Sequence, residues 1–367
     1  MRLDRAQRIM TREELKGMLL FDPFNIRYIT GYKPTGILGN SVAILVRDAN
    51  PLLIVPEAEC EFAQAESWFR DVQSYQPQMT NATNTAIIEA LQTALENYNL
   101  RSVDIGIELN HISARRFEDI KRLLPDAGLR NISTALSELR MIKDEVEIEK
   151  IKTAFQIAEN GLRAAIEFIR PGISEIEVAG EVERTLRKAG ATQTGYPTVI
   201  ASGPRAGCPF VPASRREIGS KEFVVISVSA VNDDYCSNLT RSVLTGKPTK
   251  KQQALFECAK DSVTTAKNTL SPETLVRDIA LCIRRVTDDR GFLKNLDSQL
   301  GSGIGLQPLE APYISPTEET PILPGMVFSI ETGLTVPGIG SVRLGDTIVC
   351  QKAEEYETLN QISLETV

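Results

Sequence analysis

Histidine is almost missing from this chain: His111 is the only one in 367 residues. A lone imidazole excludes a metal centre built on several histidines, and it leaves the serines elsewhere without the adjacent base that a serine nucleophile needs. Cysteine is also sparse. The six, Cys60, Cys208, Cys236, Cys258, Cys282 and Cys350, never fall in CxxC spacing and never stand beside His111. They read as reduced, buried thiols, neither a disulfide frame nor a zinc site. Basic residues are the minority, 41 Lys and Arg against 48 Asp and Glu, for a net charge of −7, which argues against a broad nucleic-acid-binding surface. No apolar run approaches the roughly 20 residues of a membrane span. The opening MRLDRAQRIMTREELKG lacks the apolar stretch of a secretion signal, so the expected location is the cytoplasm, with no membrane partner. The segment GSGIG at 301–305 has neither the lysine nor the strand-to-helix setting of a phosphate-binding loop.

What is present is ample core-forming material, 42% apolar against 24% charged residues, in a chain long enough for two domains. Short β-branched runs, GMLLF (17–21), SVAILV (41–46), PLLIVP (51–56) and SVDIGIEL (102–109), read as strands. Ile87, Leu91, Ala94, Leu95 and Tyr98 recur at helical spacing between them, which predicts an α/β layer domain. Near residue 140 the pattern changes. Ile148, Ile151, Phe155, Ala158, Leu162, Ile166 and Ile169 line one face of a long helix that Pro171 and Gly172 stop. Ser174 and Glu177 then form a capping box. Strands near 196–202, 223–231 and 235–245 follow, then helices near 249–268 and 273–290, then strands near 325–334 and 340–351. Two helices followed by strands, twice over, predict an internally duplicated α+β domain with its pocket between the halves. The expected domains are 1–134 and 135–367.

Five segments, KDEVEIEKIKTAFQIAENGL, EFVVISVSAVNDDYCSNLTRSV, LGSGIGLQPLEAPY, PGMVFSIETGL and SVRLGDTIV, resemble, in this order, the pita-bread family of creatinase, aminopeptidase P and prolidase. DPFNIRYITGY at 22–32 is similar to that family's N-terminal domain. The resemblance implies an α+β fold, a C-terminal pita-bread domain preceded by an α/β creatinase-type domain, and a homodimer. It also implies where two divalent ions would be held. There this chain carries Ser227 and Asn238 for two aspartates, Ser302 for a histidine, Glu331 for one glutamate and Gly345 for another. The two histidine positions of creatinase are Phe210 and Leu309, which cannot carry a proton.

From these replacements the expectation is no metal and no cofactor. Glu331, at the end of an apolar strand, is the candidate catalytic acid or base, desolvated and shifted toward proton transfer, or else an inherited acid satisfied by neighbouring hydroxyls. Ser227, Asn238 and Ser302 are expected to hold a polar ligand, with Phe210 and Leu309 as an apolar wall. Arg343 and Asp346 are expected either to pair and orient Glu331 or, equally, to form a structural ion pair with no effect on chemistry. Cys208 lies close in sequence to Arg205, Arg215 and Arg216, which would favour its thiolate, unless it is an inert buried thiol. Tyr32 is expected either to reach a dimer partner's site or to be ordinary surface. The functional expectation is a metal-independent enzyme, not a metallopeptidase, that hydrolyses a C–N bond of a small amide, amidine or amino-acid-derived substrate, or performs a related elimination or cyclisation. The alternative is an inactive homologue that binds a small molecule or short peptide.

Overall fold

The computed structural model describes residues 2–37, 39–77, 83–271, 274–351 and 356–365. It contains two compact units, Met1–Arg140 and Met141–Val367. Among the described residues no helix is long and apolar enough to cross a membrane.

The first unit is built on a six-stranded sheet of β1 (Gly17–Leu20), β2 (Val42–Val46), β3 (Leu52–Pro56), β4 (Asp71–Tyr75), β5 (Ile105–Ile107) and β6 (Leu129–Asn131). The strand order is β4-β3-β2-β1-β5-β6. β1 runs antiparallel to β2 and parallel to β5, so the chain must leave and return through helices on the sheet. These are α1 (Arg2–Arg12), α2 (Pro23–Thr30), α3 (Cys60–Glu66), α4 (Thr83–Asn97), α5 (Ala114–Leu123) and α6 (Ser133–Met141). The helical stripe on α4 packs as its spacing dictates, with Ile87, Leu91, Ala94 and Leu95 buried against β-sheet residues Leu19, Ile44 and Ile105. The strand expected over 102–109 contracts to β5, because only residues 105–107 have strand partners on both sides.

In the second unit α7 (Glu145–Phe168) and α8 (Glu175–Lys188) both start in capping boxes, Asp144 with Glu147 and Ser174 with Glu177. α7 ends three residues before Pro171, whose ring disfavours helical backbone in the residue preceding it. Then come β7 (Gln193–Thr194), β8 (Val199–Ser202), β9 (Phe223–Val228), β10 (Ala230–Asn232), β11 (Tyr235–Cys236) and β12 (Leu239–Leu244). The second pass gives α9 (Lys250–Lys267), α10 (Val276–Asp289), β13 (Gly301–Gly303), β14 (Glu310–Tyr313), β15 (Val327–Val336), β16 (Gly340–Cys350) and β17 (Tyr356–Thr358). Residue 273, where the sequence places the start of α10, lies outside the described residues.

Two sheets position the site: β12-β9-β8 and β14-β13-β15-β16-β17. Ser242 ties them together, its hydroxyl donating to the Arg343 carbonyl (2.9 Å) and accepting from the Arg343 amide (2.8 Å). Behind them α9 and α10 contribute Leu255, Ala259, Ile279 and Ile283 to apolar clusters that include Phe328, Ile330, Leu334 and Leu344.

Candidate active site

Strand alternation builds the site. Ser329 and Glu331 are two apart on β15, and Asn238 and Thr240 are likewise two apart across the start of β12, so each pair points from one sheet face. The register sets Ser227 opposite Thr240, Ser302 opposite Ser329 and Glu331 opposite Gly345. The result is a buried polar cluster in which Ser227, Asn238, Ser302 and Glu331 are each 5% exposed or less.

Glu331 is its hub. One carboxylate oxygen accepts from the Asn238 amide at 2.9 Å and from the Thr240 hydroxyl at 3.4 Å; the other accepts from the Arg343 guanidinium at 3.3 Å. Of the two readings of Glu331, the geometry matches the acid satisfied by neighbouring polar groups: a cation and two polar donors meet the carboxylate. Arg343 is shared with Asp297, to which it is also bonded. Arg343 thus bonds Glu331, and Asp346 does not. Asp346 points into a separate buried cluster, bonded to Arg241 (2.9 Å), Lys267 (2.5 Å) and Asn360 (2.8 Å).

The Asn238 amide also donates to Ser329 at 3.0 Å and accepts from the Tyr196 phenol at 2.6 Å. Burial, and next the charge of Glu331, push the Tyr196 phenol well above its ordinary value, so at neutral pH it is a fixed hydrogen-bond donor. The Tyr196 ring stands edge-on to Phe210 with centroids 5.2 Å apart, a favoured aromatic geometry. Phe210 reaches it with a left-handed backbone, φ +55°, a conformation that costs a residue with a Cβ roughly 1–2 kcal/mol.

Ser227 and Ser302 spend their hydroxyls locally, on Thr240 (2.8 Å) and on the Gly303 carbonyl (2.9 Å). Leu309 lies half-buried just before β14, and the aromatic partner of Phe210 is Tyr196. Cys208 is exposed, which corrects the buried-thiol alternative. Two of its three neighbouring guanidiniums are committed elsewhere, Arg205 to Glu175 and Arg216 to Glu222. Tyr32 is wholly buried inside the first unit, its hydroxyl on Glu59 and its ring edge-on to Phe62, so it is not ordinary surface. Glu310 is buried with Lys143 at 2.8 Å and anchors the loop that follows β13.

Tyr196, Thr240, Ser329 and Asp297 escape the sequence reading. For Thr240 and Ser329 a signal exists, the two-residue offset from Asn238 and Glu331. Tyr196 and Asp297 carry none, since only the tertiary fold brings them in.

A match to the metallopeptidase family M24 model spans residues 149–352, and the creatinase/prolidase N-terminal domain model matches residues 2–142. The chain belongs to metallopeptidase family M24. Its M24 relatives include a Xaa-Pro dipeptidase of Pyrococcus horikoshii, 30% identical over 94% of this chain and 92% of the relative, and a Xaa-Pro dipeptidase of Pyrococcus furiosus, 30% identical over 95% and 94%. The solved prolidase of Pyrococcus horikoshii superposes with a TM-score of 0.88 at 28% identity, covering 100% of this chain and 99% of that one. Both expected halves of the fold, the creatinase-type N-terminal domain and the pita-bread domain, are thereby established. The functional expectations are corrected. Membership in a metallopeptidase family, with relatives that are Xaa-Pro dipeptidases over nearly their whole length, overturns both the metal-independent hydrolase or lyase and the inactive homologue.

The family's pair of divalent ions was tested against the side chains present. Hard divalent ions call for several oxygen or nitrogen donors, most of them charged. At the positions that the resemblance equates with the ion ligands stand Ser227, Asn238, Ser302, Glu331 and Gly345, and among the described residues no group of three or more His, Cys, Asp or Glu is placed to hold an ion. A Cβ at Gly345 would lie 2.8 Å from the Glu331 side chain, so a side chain there would require Glu331 to shift. On that correspondence these residues do not fit two ions.

Proposed function

We propose that this M24 member acts on Xaa-Pro dipeptides at the cluster around Glu331. The observation that carries this reading is the end-to-end similarity to Xaa-Pro dipeptidases at 30% identity. The chemistry of the cluster supports it. A Xaa-Pro dipeptide has an ammonium group, a carboxylate and an apolar pyrrolidine ring. Glu331 and Asp297 offer negative charge to the first, Arg343 offers a guanidinium to the second, and the rings of Phe210 and Tyr196 offer an apolar face to the third. The Tyr196 phenol, kept protonated, orders the Asn238 amide, and that amide in turn orders Glu331. Ser227, Ser302 and Leu309 complete the lining in this reading, and Cys208 and Tyr32 are held outside it. The same reading has the chain working as a homodimer in the cytoplasm, without nucleic acid or membrane.

The test is a panel of Ala-Pro, Leu-Pro and Ala-Ala, each followed by calorimetric binding and by amino-acid release, with chelator and with added manganese or cobalt. Ala-Pro and Leu-Pro bound and cleaved in preference to Ala-Ala is the expected result. If neither proline dipeptide is bound or cleaved under any of these conditions, the reading is wrong. Light scattering at twice the chain mass checks the dimer.

A further inference from the structure

The loop that carries Phe210, residues 203–213, is fastened by one carboxylate that the cluster itself does not contain. Glu175, at the first turn of α8, is 0% exposed. It accepts from the Ser202 amide (2.8 Å) and hydroxyl (2.8 Å), where the loop begins, and from the Ser214 amide (3.1 Å) and hydroxyl (2.7 Å), where it ends. Arg205, inside the loop, bonds the same carboxylate at 3.0 Å and reaches across to the Pro212 carbonyl at 2.5 Å. Backbone bonds from the Glu175 amide to Arg216 (3.0 Å) and from the Ile176 amide to Ser214 (2.9 Å) seat the far end on the same helix turn. Gly207 lets the middle of the loop lie on the strands, since a Cβ there would sit 3.0 Å from Ser341 and Thr335 side-chain atoms.

Between these fastenings stands Phe210 in its left-handed conformation. A residue stays in such a conformation only where its surroundings over-determine it. From Phe210 the contacts continue to Tyr196, then Asn238, then Glu331. We propose that Glu175 is a positioning residue for the substrate site: by clasping both ends of the 203–213 loop it sets Phe210 against Tyr196 and thereby shapes the face that receives the proline ring. Glu175 touches no substrate, and its effect passes through Phe210. The inference rests on the Xaa-Pro reading above for its ligand, but not for the clasp.

The experiment uses the full chain and three variants, Glu175→Gln, Phe210→Ala and the double variant, with Ala-Pro as the binding probe and amide hydrogen exchange as the second readout. Each single variant is expected to weaken Ala-Pro about tenfold, and the double variant no more than either single one, as for two residues acting in one path. Exchange at residues 206–211 is expected to rise at least tenfold in Glu175→Gln while the β9 amides stay unchanged. Additive losses of binding, or a loop and β9 that loosen together, would overturn the proposal in favour of a merely structural role. If wild-type chain ignores Ala-Pro, the substrate reading fails by itself, and the exchange comparison still decides the clasp.

Discussion

Two buried glutamates, one in each unit, perform the same mechanical task with opposite electrostatics. Glu108, at the end of β5, is 1% exposed and pins the entry to α2, accepting from the amides of Phe21 (2.5 Å) and Asp22 (2.8 Å) and from the Asn25 side chain. Glu175 pins the 203–213 loop. Burial pushes both carboxyls up. For Glu108 burial wins over its amide donors, the nearby charge of Asp22 adds to it, and the group is pushed up to about 7. For Glu175 the hydroxyls of Ser214 and Ser202, with their amides, outweigh burial and hold the carboxyl below its ordinary value. Lack of solvent exposure alone therefore does not set the charge state of an anchoring carboxylate; the depth of burial and the number and kind of donors act together.

The largest expected effect comes from removing the richer anchor. Glu175→Ala leaves Arg205, Ser202 and Ser214 without their shared acceptor, and the loss of a buried charge partner costs about 3–5 kcal/mol; chemical denaturation of the second unit measures it, and a cost under ~1 kcal/mol would erase the contrast. Next is the pH response of the first unit. Because the folded-state value of Glu108 is raised, its contribution is complete below the ordinary value of 4.5 and is lost as pH rises through about 7, a decline on the order of 3 kcal/mol. Glu108→Gln should flatten that slope, and an unchanged slope would show that another group owns it. Glu175 runs the other way: its contribution is present above the ordinary value of 4.5 and disappears as pH falls through the lowered folded-state value, so exchange in the 203–213 loop should accelerate at the acid end only. Ser214→Ala moves Glu175 one donor toward the state of Glu108 and should cost about 1.5–3 kcal/mol, as for a hydrogen bond to a charged group, with the acid-end transition shifted to higher pH. The smallest effect belongs to His111, 45% exposed and 3.4 Å from Asp22. His111→Asn should change the stability of the first unit by under ~1 kcal/mol.

Much of the architecture was legible. Helical spacing located α4 and α7, the pair Ser174 and Glu177 located the start of α8, and short β-branched apolar runs located β1 to β3. These are local properties of contiguous residues. The site was legible only in part. Asn238, Ser227, Glu331 and Arg343 do meet, because Ser227, Glu331 and Arg343 lie on strands β9, β15 and β16 and Asn238 directly precedes β12. Tyr196 was not visible, because it comes from the loop after β7 and arrives by way of the Phe210 ring. The choice between the two readings of Glu331 was not legible for the same reason: FSIE is apolar along its own strand, while Arg343 comes from β16 and Asn238 from just before β12. The function was not legible from single positions, because it is the similarity of the whole chain to Xaa-Pro dipeptidases that carries it.

By itself the sequence determined the elements, their caps and the order in which they repeat, since hydrophobic period and capping act within a few residues. Only the tertiary structure decided what the Glu331 carboxylate faces, that Asp346 belongs to a different cluster, and that Glu175, far from the site in sequence, fastens the loop over it. Charge state and orientation depend on donors within about 3 Å, and no local pattern specifies which distant residues come that close.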